Sequence, residues 1–174
     1  DIEVPAPGPG QIRIKQHACG INYIDTAPLY GQGLSELMIG EVMKSRRNDC
    51  VLASKVWYEL DHDEVIDSVH QSLRRLQTDH IDILQIHGRM YRSSEIRHLE
   101  RDGVIDALLE LRAAGKIVHI GITSEEPFSL MHFLDHPDIS VYQIAYNFIY
   151  QAAARHFLIE AAEKNVGVVS MRTM

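Results

Sequence analysis

The chain has 174 residues, of which 45% are apolar and 24% are charged, a composition that supports one globular domain with a sizeable core. Its formal net charge of −7 argues against a nucleic-acid surface, which requires a basic face. No apolar run approaches the roughly 18 residues that a membrane-spanning helix needs, and the acidic, proline-rich residues 1–10 do not resemble a secretory signal. Because there are only two cysteines, Cys19 and Cys50, we expect no disulfide framework and a reducing cytoplasm.

The N-terminal residues do not share the pattern that organises the rest of the chain. Residues 5–10 (PAPGPG) indicate a turn-rich extended segment, and residues 11–17 alternate between apolar and polar side chains as a half-exposed strand does. Only three residues separate this run from the next predicted strand, too few for the crossover that parallel neighbours require. We therefore place a domain boundary near Gly20, after an extended segment of residues 1–19.

Beyond that boundary, short β-rich runs recur at intervals of 24 to 36 residues. Strands are predicted over residues 21–27, 50–56, 81–87, 117–123, 141–147 and 166–171. Each run is nearly continuous in apolar residues, which is typical of strands that are buried on both faces.

The intervals between the strands carry helical patterns. Apolar stripes at steps of three or four residues predict three helices, which carry Val65, Val69, Leu73 and Leu76, then Val104, Leu108 and Leu111, and finally Phe157, Leu158, Ala161 and Ala162. Asp61 and Glu64 are typical of a helix start, and Gly115 of a helix end. Residues 89–101 are polar and mixed in charge, and we interpret them as a mobile loop. Strand–helix repetition predicts a parallel sheet, either a barrel or a doubly wound sheet.

Four polar side chains follow three consecutive predicted strands. Asp25 and Tyr30 follow the first strand, Lys55 ends the second, and His87 ends the third. Because the βα loops of a parallel sheet open on one face, we expect these side chains to converge there.

These residue types suit the reduction of a carbonyl by hydride, which needs a proton donor for the developing alkoxide. A tyrosine is a poor acid by itself, with an ordinary pKa of about 10. A neighbouring ammonium favours the phenolate, and a carboxylate keeps that ammonium charged and in place. An imidazole N–H can orient the carbonyl oxygen and stabilise its negative charge. Taken singly, each residue is more simply a helix cap, a packed ring or a solvated strand end, but the four together favour catalysis.

Residues 20–171 resemble the aldo-keto reductase family. The segment GINYIDTAPLYG at 20–31, with Ser35, Glu36 and Gly40 after it, is similar to the family's first signature. LRRL at 73–76 and DHIDILQIH at 79–87 are similar to the second signature.

The resemblance implies an α/β fold, the (β/α)8 TIM barrel of that family, for residues 20–174. It also implies a role for each candidate catalytic residue. Tyr30 is the general acid, Lys55 assists it, Asp25 pairs with Lys55, and His87 orients the carbonyl of a small-molecule substrate.

The resemblance further implies a nicotinamide dinucleotide cofactor, usually NADPH with NADH as the alternative, bound without a glycine-rich loop. Thr123 and Ser124 take the place of a Ser-Asn pair, and Gln143 matches the glutamine that binds the carboxamide. Met171 stands where an aromatic ring usually stacks on the nicotinamide, and a weaker stack is expected.

About six of the family's eight strand–helix units are present, so the resemblance predicts a partial barrel that lacks the unit holding the adenosine phosphate. Two hypotheses follow: NAD(P)H-dependent reduction of an aldehyde or ketone, or a catalytically incompetent fragment or regulatory subunit. Open sheet edges also favour self-association.

Three weaker patterns complete the interpretation. Residues 3–26 resemble the start of medium-chain quinone oxidoreductases, on PAPGPGQIRIK and HACGINYIDT, and imply no second activity. His132 and His136 have a spacing that can hold a metal, but they are more simply the end of a helix, and we predict no metal site. Trp57 and Tyr58 are candidates for the substrate wall or for ordinary packing.

Overall fold

The structure, a computed structural model, describes residues 22–173. Its strands are β1 (Asn22–Asp25), β2 (Cys50–Trp57), β3 (Ile81–His87), β4 (Ile117–Ser124), β5 (Ile139–Ala145) and β6 (Gly167–Met171). Its α-helices are α1 (Leu34–Arg46), α2 (His62–Leu76), α3 (Ser93–Arg101), α4 (Val104–Ala113) and α5 (Phe157–Glu163). Short 3-10 helices cover Arg47–Asp49, Pro127–Asp135 and Ala152–Arg155.

The strands form a single parallel sheet in which chain order is also spatial order, from β1 to β6. The sheet is curled, because side chains of distant strands meet on its inner face. In a flat sheet, four spacings of about 4.8 Å would separate β1 from β5 by roughly 19 Å. Yet the amide nitrogen of Gln143 on β5 lies 3.5 Å from the carboxylate of Asp25 on β1. The predicted partial α/β barrel is therefore confirmed.

The six predicted strands are confirmed with small shifts at their ends, the largest being two residues at the end of β1 and at both ends of β5. The first of the three predicted amphipathic helices is confirmed as α2. At its start, the side chains of Asp61 and Glu64 each accept a hydrogen bond from the other's backbone N–H at 3.0 Å. The predicted N-terminal segment and its boundary near Gly20 lie outside the described residues.

Alternate strand residues on the outer face join the helices in one buried core. From the strands come Leu52, Val56, Leu84, Ile86, Ile120, Ile122, Tyr142 and Ile144, and from the helices Val65, Val69, Leu73, Leu108, Leu111 and Phe157. The remaining strand positions face the interior of the curl, because successive side chains of a strand point to opposite faces. None of the helices within residues 22–173 is long and apolar enough to cross a membrane.

The prediction of a loop over residues 89–101 was wrong in its second half, because residues 93–101 form α3. The side chain of Glu95 accepts the backbone N–H of Arg92 at 3.0 Å, which stabilises the first turn. Leu99 is fully buried, and Ile96 packs against the core. Two apolar contacts are enough to hold a nine-residue helix against the core. The other residues of α3 are polar, so the sequence pattern did not indicate a helix.

A buried carboxylate joins α1 to α2 and to the sheet. Glu36 on α1 is fully buried, and its two oxygens accept the Ser54 hydroxyl and the Arg75 Nε–H, both at 2.7 Å. Gly40, one turn further along α1, lies against the backbone of α2. A β-carbon at Gly40 would stand 2.1 Å from the carbonyl oxygen of Arg75. The two helices can therefore approach closely only because residue 40 has no side chain.

We predict that Gly40→Ala destabilises the fold by about 1–3 kcal/mol, because the new methyl group must push α1 away from α2. This loss outweighs the gain of about 1 kcal/mol in helix propensity that alanine brings. Urea unfolding measures the effect. Ser45→Ala, at an exposed position of the same helix, is the control and should change stability by less than about 0.5 kcal/mol. A more stable Gly40→Ala protein would contradict the close approach.

Candidate active site

The structure brings the four predicted catalytic residues together at the carboxyl ends of β1, β2 and β3. The Lys55 ammonium donates to the Asp25 carboxylate at 2.6 Å and lies 4.8 Å from the centre of the Tyr30 ring. The rings of Tyr30 and His87 meet edge to face, with their centres 6.0 Å apart. We refer to these four residues as the tetrad.

Lys55 lies at the centre of the tetrad and is only 2% exposed. A buried ammonium is tolerated only when it is paired and hydrogen-bonded. Lys55 meets this condition with the Asp25 carboxylate and with the backbone carbonyl of Thr26, to which it donates at 2.9 Å. Both acceptors come from the end of β1, so the ion pair also fixes the start of the loop that carries Tyr30.

That loop is folded by local contacts that place Tyr30 beside Lys55. The Tyr30 N–H donates to the carbonyl of Ala27 at 3.0 Å, and the hydroxyls of Thr26 and Ser35 bond to each other at 2.8 Å. Gly33 ends the loop with a φ of 91°, a left-handed conformation that glycine adopts without strain. Tyr30 remains 40% exposed, so a small molecule can reach this residue.

His87 lies between two aromatic rings at the end of β3. Besides the contact with Tyr30, its ring meets the indole of Trp57 edge to face, at 5.7 Å between centres. Burial, and to a smaller extent the Lys55 ammonium, lower the pKa of His87 from its usual 6.5 to about 4. The imidazole is therefore neutral at neutral pH and carries one N–H donor.

Two polar residues that the sequence did not predict lie near Asp25 on the inner face of the sheet: the buried Gln85, which contacts Asp25, and the half-buried Tyr23, which contacts Gln85. The Gln85 amide donates to the Tyr23 hydroxyl at 3.2 Å and to the Asp25 carboxylate at 3.3 Å. Tyr23 and Gln85 stand two positions before Asp25 and His87, respectively. Side chains two positions apart in a strand share a face. This spacing could therefore have predicted that Tyr23 and Gln85 lie on the same face as Asp25 and His87.

Of the four predicted cofactor residues, Gln143 is the one with a free, buried polar atom. Its carbonyl oxygen has no hydrogen-bond partner among the described residues, and a buried acceptor of this kind calls for a donor. The Thr123 hydroxyl bonds to the backbone of Gly88, and the Ser124 hydroxyl to the backbone of Arg89 and Glu126. Both hydroxyls are thus bonded to the loop after β3, and that of Ser124 also to the loop after β4.

The other residues that the sequence singled out are Met171, Trp57, Tyr58, His132 and His136. Met171 is half-buried at the end of β6. Trp57 and Tyr58 pack together, and the Glu59 carboxylate accepts from the Trp57 Nε1–H at 2.9 Å and from the Tyr58 hydroxyl at 3.0 Å. Far from the tetrad, His132 bonds to Glu100 and His136 to the backbone N–H of Asp138.

The chain is similar in sequence to known proteins. The model of the aldo/keto reductase family matches residues 15–174. The uncharacterized oxidoreductase YqkF of Bacillus subtilis is 34% identical over 131 residues, which cover 69% of this chain and 41% of YqkF. L-galactose dehydrogenase of Arabidopsis thaliana is 31% identical over 163 residues, which cover 87% of this chain and 50% of that protein. The resemblance of residues 3–26 to quinone oxidoreductases finds no support in these matches.

Solved structures of the same family resemble the fold. Aldo-keto reductase AKR11C1 from Bacillus halodurans, in its holo form, has a TM-score of 0.75 and 34% identity, covering 87% of this chain and 52% of that one. An aldo-keto reductase from Klebsiella pneumoniae in complex with NADPH has a TM-score of 0.74 and 25% identity, covering 88% and 53%. The chain thus spans about half the length of the relatives it matches.

We predict that His87 makes the fold less stable in acid. Between pH 6.5 and about 4, the unfolded chain binds a proton at this imidazole that the folded chain excludes, so stability falls as the pH falls through this window. Relative to pH 7.5, the loss at pH 5 should be roughly 1–2 kcal/mol.

Urea unfolding of the wild type and His87→Gln at several pH values measures this contribution as the difference between their slopes. His119→Gln, which removes an exposed imidazole on β4, is the matched control and should keep the wild-type slope. Equal slopes for the wild type and His87→Gln would show that burial does not suppress protonation of His87.

Proposed function

The chain belongs to the aldo/keto reductase family, and we propose that it reduces an aldehyde or ketone to an alcohol by hydride transfer from NAD(P)H. One observation carries the proposal. The buried Lys55 ammonium lies between the Asp25 carboxylate, at 2.6 Å, and the ring of the accessible Tyr30, at 4.8 Å. This arrangement suits a phenol that gives up its proton, because an adjacent ammonium stabilises the phenolate that remains.

Each member of the tetrad has a separate task in this proposal. Tyr30 donates its hydroxyl proton to the carbonyl oxygen as the alcohol forms. The neutral His87 imidazole donates an N–H to the same oxygen, which orients the carbonyl and stabilises negative charge on it. Asp25 keeps Lys55 charged and in contact with the Tyr30 ring.

NADPH is the cofactor we propose, with NADH as the alternative, and it supplies the hydride when it is bound. The carbonyl oxygen of Gln143 has no hydrogen-bond partner in the described part of the chain. This buried acceptor fits the cofactor, since a carboxamide NH2 is the kind of donor that it lacks. Met171 offers a soft apolar surface on the neighbouring strand. Thr123 and Ser124 are proposed to shape the loop beside this position, because their hydroxyls already bond to backbone groups.

We place the reaction in the cytoplasm. Within residues 22–173 the thiol of Cys50 has no disulfide partner, as is usual for proteins of a reducing compartment. A small-molecule carbonyl compound is the proposed substrate.

Self-association is a second proposal, favoured by the exposed surface of α1. Within the described residues, β1 pairs with β2 alone and β6 with β5 alone, so each has one open edge. The exposed side chains of Leu34, Leu37, Met38 and Val42 form an apolar stripe along α1. Open edges and apolar stripes are the surfaces through which copies of a chain associate.

We predict that Tyr30→Phe lowers kcat by roughly 10²–10⁴-fold, the usual contribution of a general acid. The NADPH dissociation constant, measured by nicotinamide fluorescence, should change by less than about twofold because the ring remains in place. Tyr150→Phe removes the hydroxyl of another exposed tyrosine and is the control. Retained turnover in Tyr30→Phe would mean that the acid is another group. No binding at millimolar NADPH would favour the catalytically incompetent alternative.

We predict that the wild type forms oligomers at micromolar concentration and that Met38→Lys shifts them toward monomer. Met38 is 65% exposed, so the new charge should disfavour burial of the α1 stripe without disturbing the core. Sedimentation velocity measures both states. Gln71→Lys adds the same charge to the exposed surface of α2 and should not change the distribution. A monomeric wild type would end this proposal.

A further inference from the structure

Two polar residues that the tetrad does not include, Tyr23 and Gln85, lie beneath it on the inner face of the curled sheet. Gln85 is fully buried, and its amide nitrogen lies within hydrogen-bond distance of two acceptors. These are the Tyr23 hydroxyl at 3.2 Å and the Asp25 Oδ1 atom at 3.3 Å. An amide NH2 has two hydrogens, so it can donate to both acceptors at the same time.

The position of Gln85 depends on a glycine on the adjacent strand. A β-carbon at Gly121 would stand 3.1 Å from the Cγ atom of Gln85 and 2.9 Å from the carbonyl oxygen of Val141. The absence of that carbon leaves room for the glutamine to extend across the interior toward β1. Its contact with Asp25 is therefore built into the packing of three strands.

With Gln85 in place, both oxygens of the Asp25 carboxylate are held. Oδ1 accepts from Gln85, and Oδ2 accepts from Lys55 at 2.6 Å and from the Gln143 amide at 3.5 Å. A carboxylate held at one oxygen can rotate about its Cβ–Cγ bond, whereas one held at both oxygens cannot. Rotation would carry Oδ2 away from its present position, and the Lys55 ammonium would follow it away from the Tyr30 ring.

Tyr23 serves Gln85 as a neutral acceptor. Burial, and then the nearby Asp25 carboxylate, hold the pKa of Tyr23 well above its usual value of 10. Unlike Tyr30, it has no lysine over its ring among the contacts described. The phenol therefore stays protonated and fixes the second N–H of the Gln85 amide.

We propose that Gln85, supported by Tyr23, is a positioning residue that holds the Asp25 carboxylate in the orientation that keeps Lys55 against Tyr30. The proposal rests on the function proposed above. It adds to that function a residue that acts through Asp25 and does not touch the substrate.

Turnover provides the first test. We expect Gln85→Met, which keeps the length of the side chain and removes both donors, to lower kcat by about 10- to 100-fold, as the loss of a hydrogen bond to a charged group does. KM for NADPH should stay within about twofold, because the residue lies beneath the tetrad. Gln71→Met makes the same change at an exposed site and is the control. Tyr23→Phe, a smaller change to the fold, should lower kcat by roughly two- to fivefold. An unchanged kcat in Gln85→Met would overturn the proposal.

A spectroscopic test needs neither cofactor nor turnover. In protein with ¹³C-labelled tyrosine rings, the Tyr30 resonances are assigned by their loss in Tyr30→Phe. In Lys55→Met they should shift, because the ammonium no longer lies over the ring. We expect Gln85→Met to shift them in the same direction and Gln71→Met to leave them unmoved. Unmoved Tyr30 resonances in Gln85→Met would overturn the positioning role. An inactive wild type with the expected shifts would instead overturn the proposed reductase function.

Discussion

The candidate active site depends on the pairing of one buried ammonium, that of Lys55. Lys55 is nearly inaccessible to solvent, and a charge in that position must be compensated by nearby acceptors. The carboxylate of Asp25 and the backbone carbonyl of Thr26 supply that compensation. Because both come from the end of β1, the pairing orders the strand end, the first residues of the loop and, through them, Tyr30.

A second buried charge supports the same region from the outer face of the sheet. Glu36 bonds to Ser54 on β2 and to Arg75 on α2, so α1 is held against both neighbours. Ser54 is adjacent in sequence to Lys55 and points to the opposite face. The Lys55–Asp25 ion pair and the Ser54–Glu36 hydrogen bond thus hold β2 from opposite faces, and the loop between β1 and α1 spans the distance between them. This explains why the position of Tyr30 depends on packing as well as on local turn geometry.

Predictions from the sequence succeeded where a local pattern had only one physical interpretation. Continuous apolar runs gave the strands, and the reciprocal Asp61–Glu64 pair gave the start of α2, since such caps depend on residues three positions apart. The sequence predicted a loop in place of α3, because so short a helix needs only two apolar contacts and its other residues are polar. Gln85 was missed because it lies within an otherwise apolar strand. Its partners, Tyr23 and Asp25, are about 60 positions away in sequence.

By itself, the sequence determined the six strands, three of the helices, the parallel sheet, and the placement of the four tetrad residues after three successive strands. Each of these depends on periodicity, spacing or chemistry within a short stretch of chain. The tertiary structure decided which oxygen of Asp25 meets Lys55, that His87 is neutral, and that the buried carbonyl oxygen of Gln143 finds no partner among residues 22–173. These properties depend on the curl of the sheet. The curl brings β1 within reach of β3 and β5, excludes water from the groups between them, and so sets both their contacts and their charge.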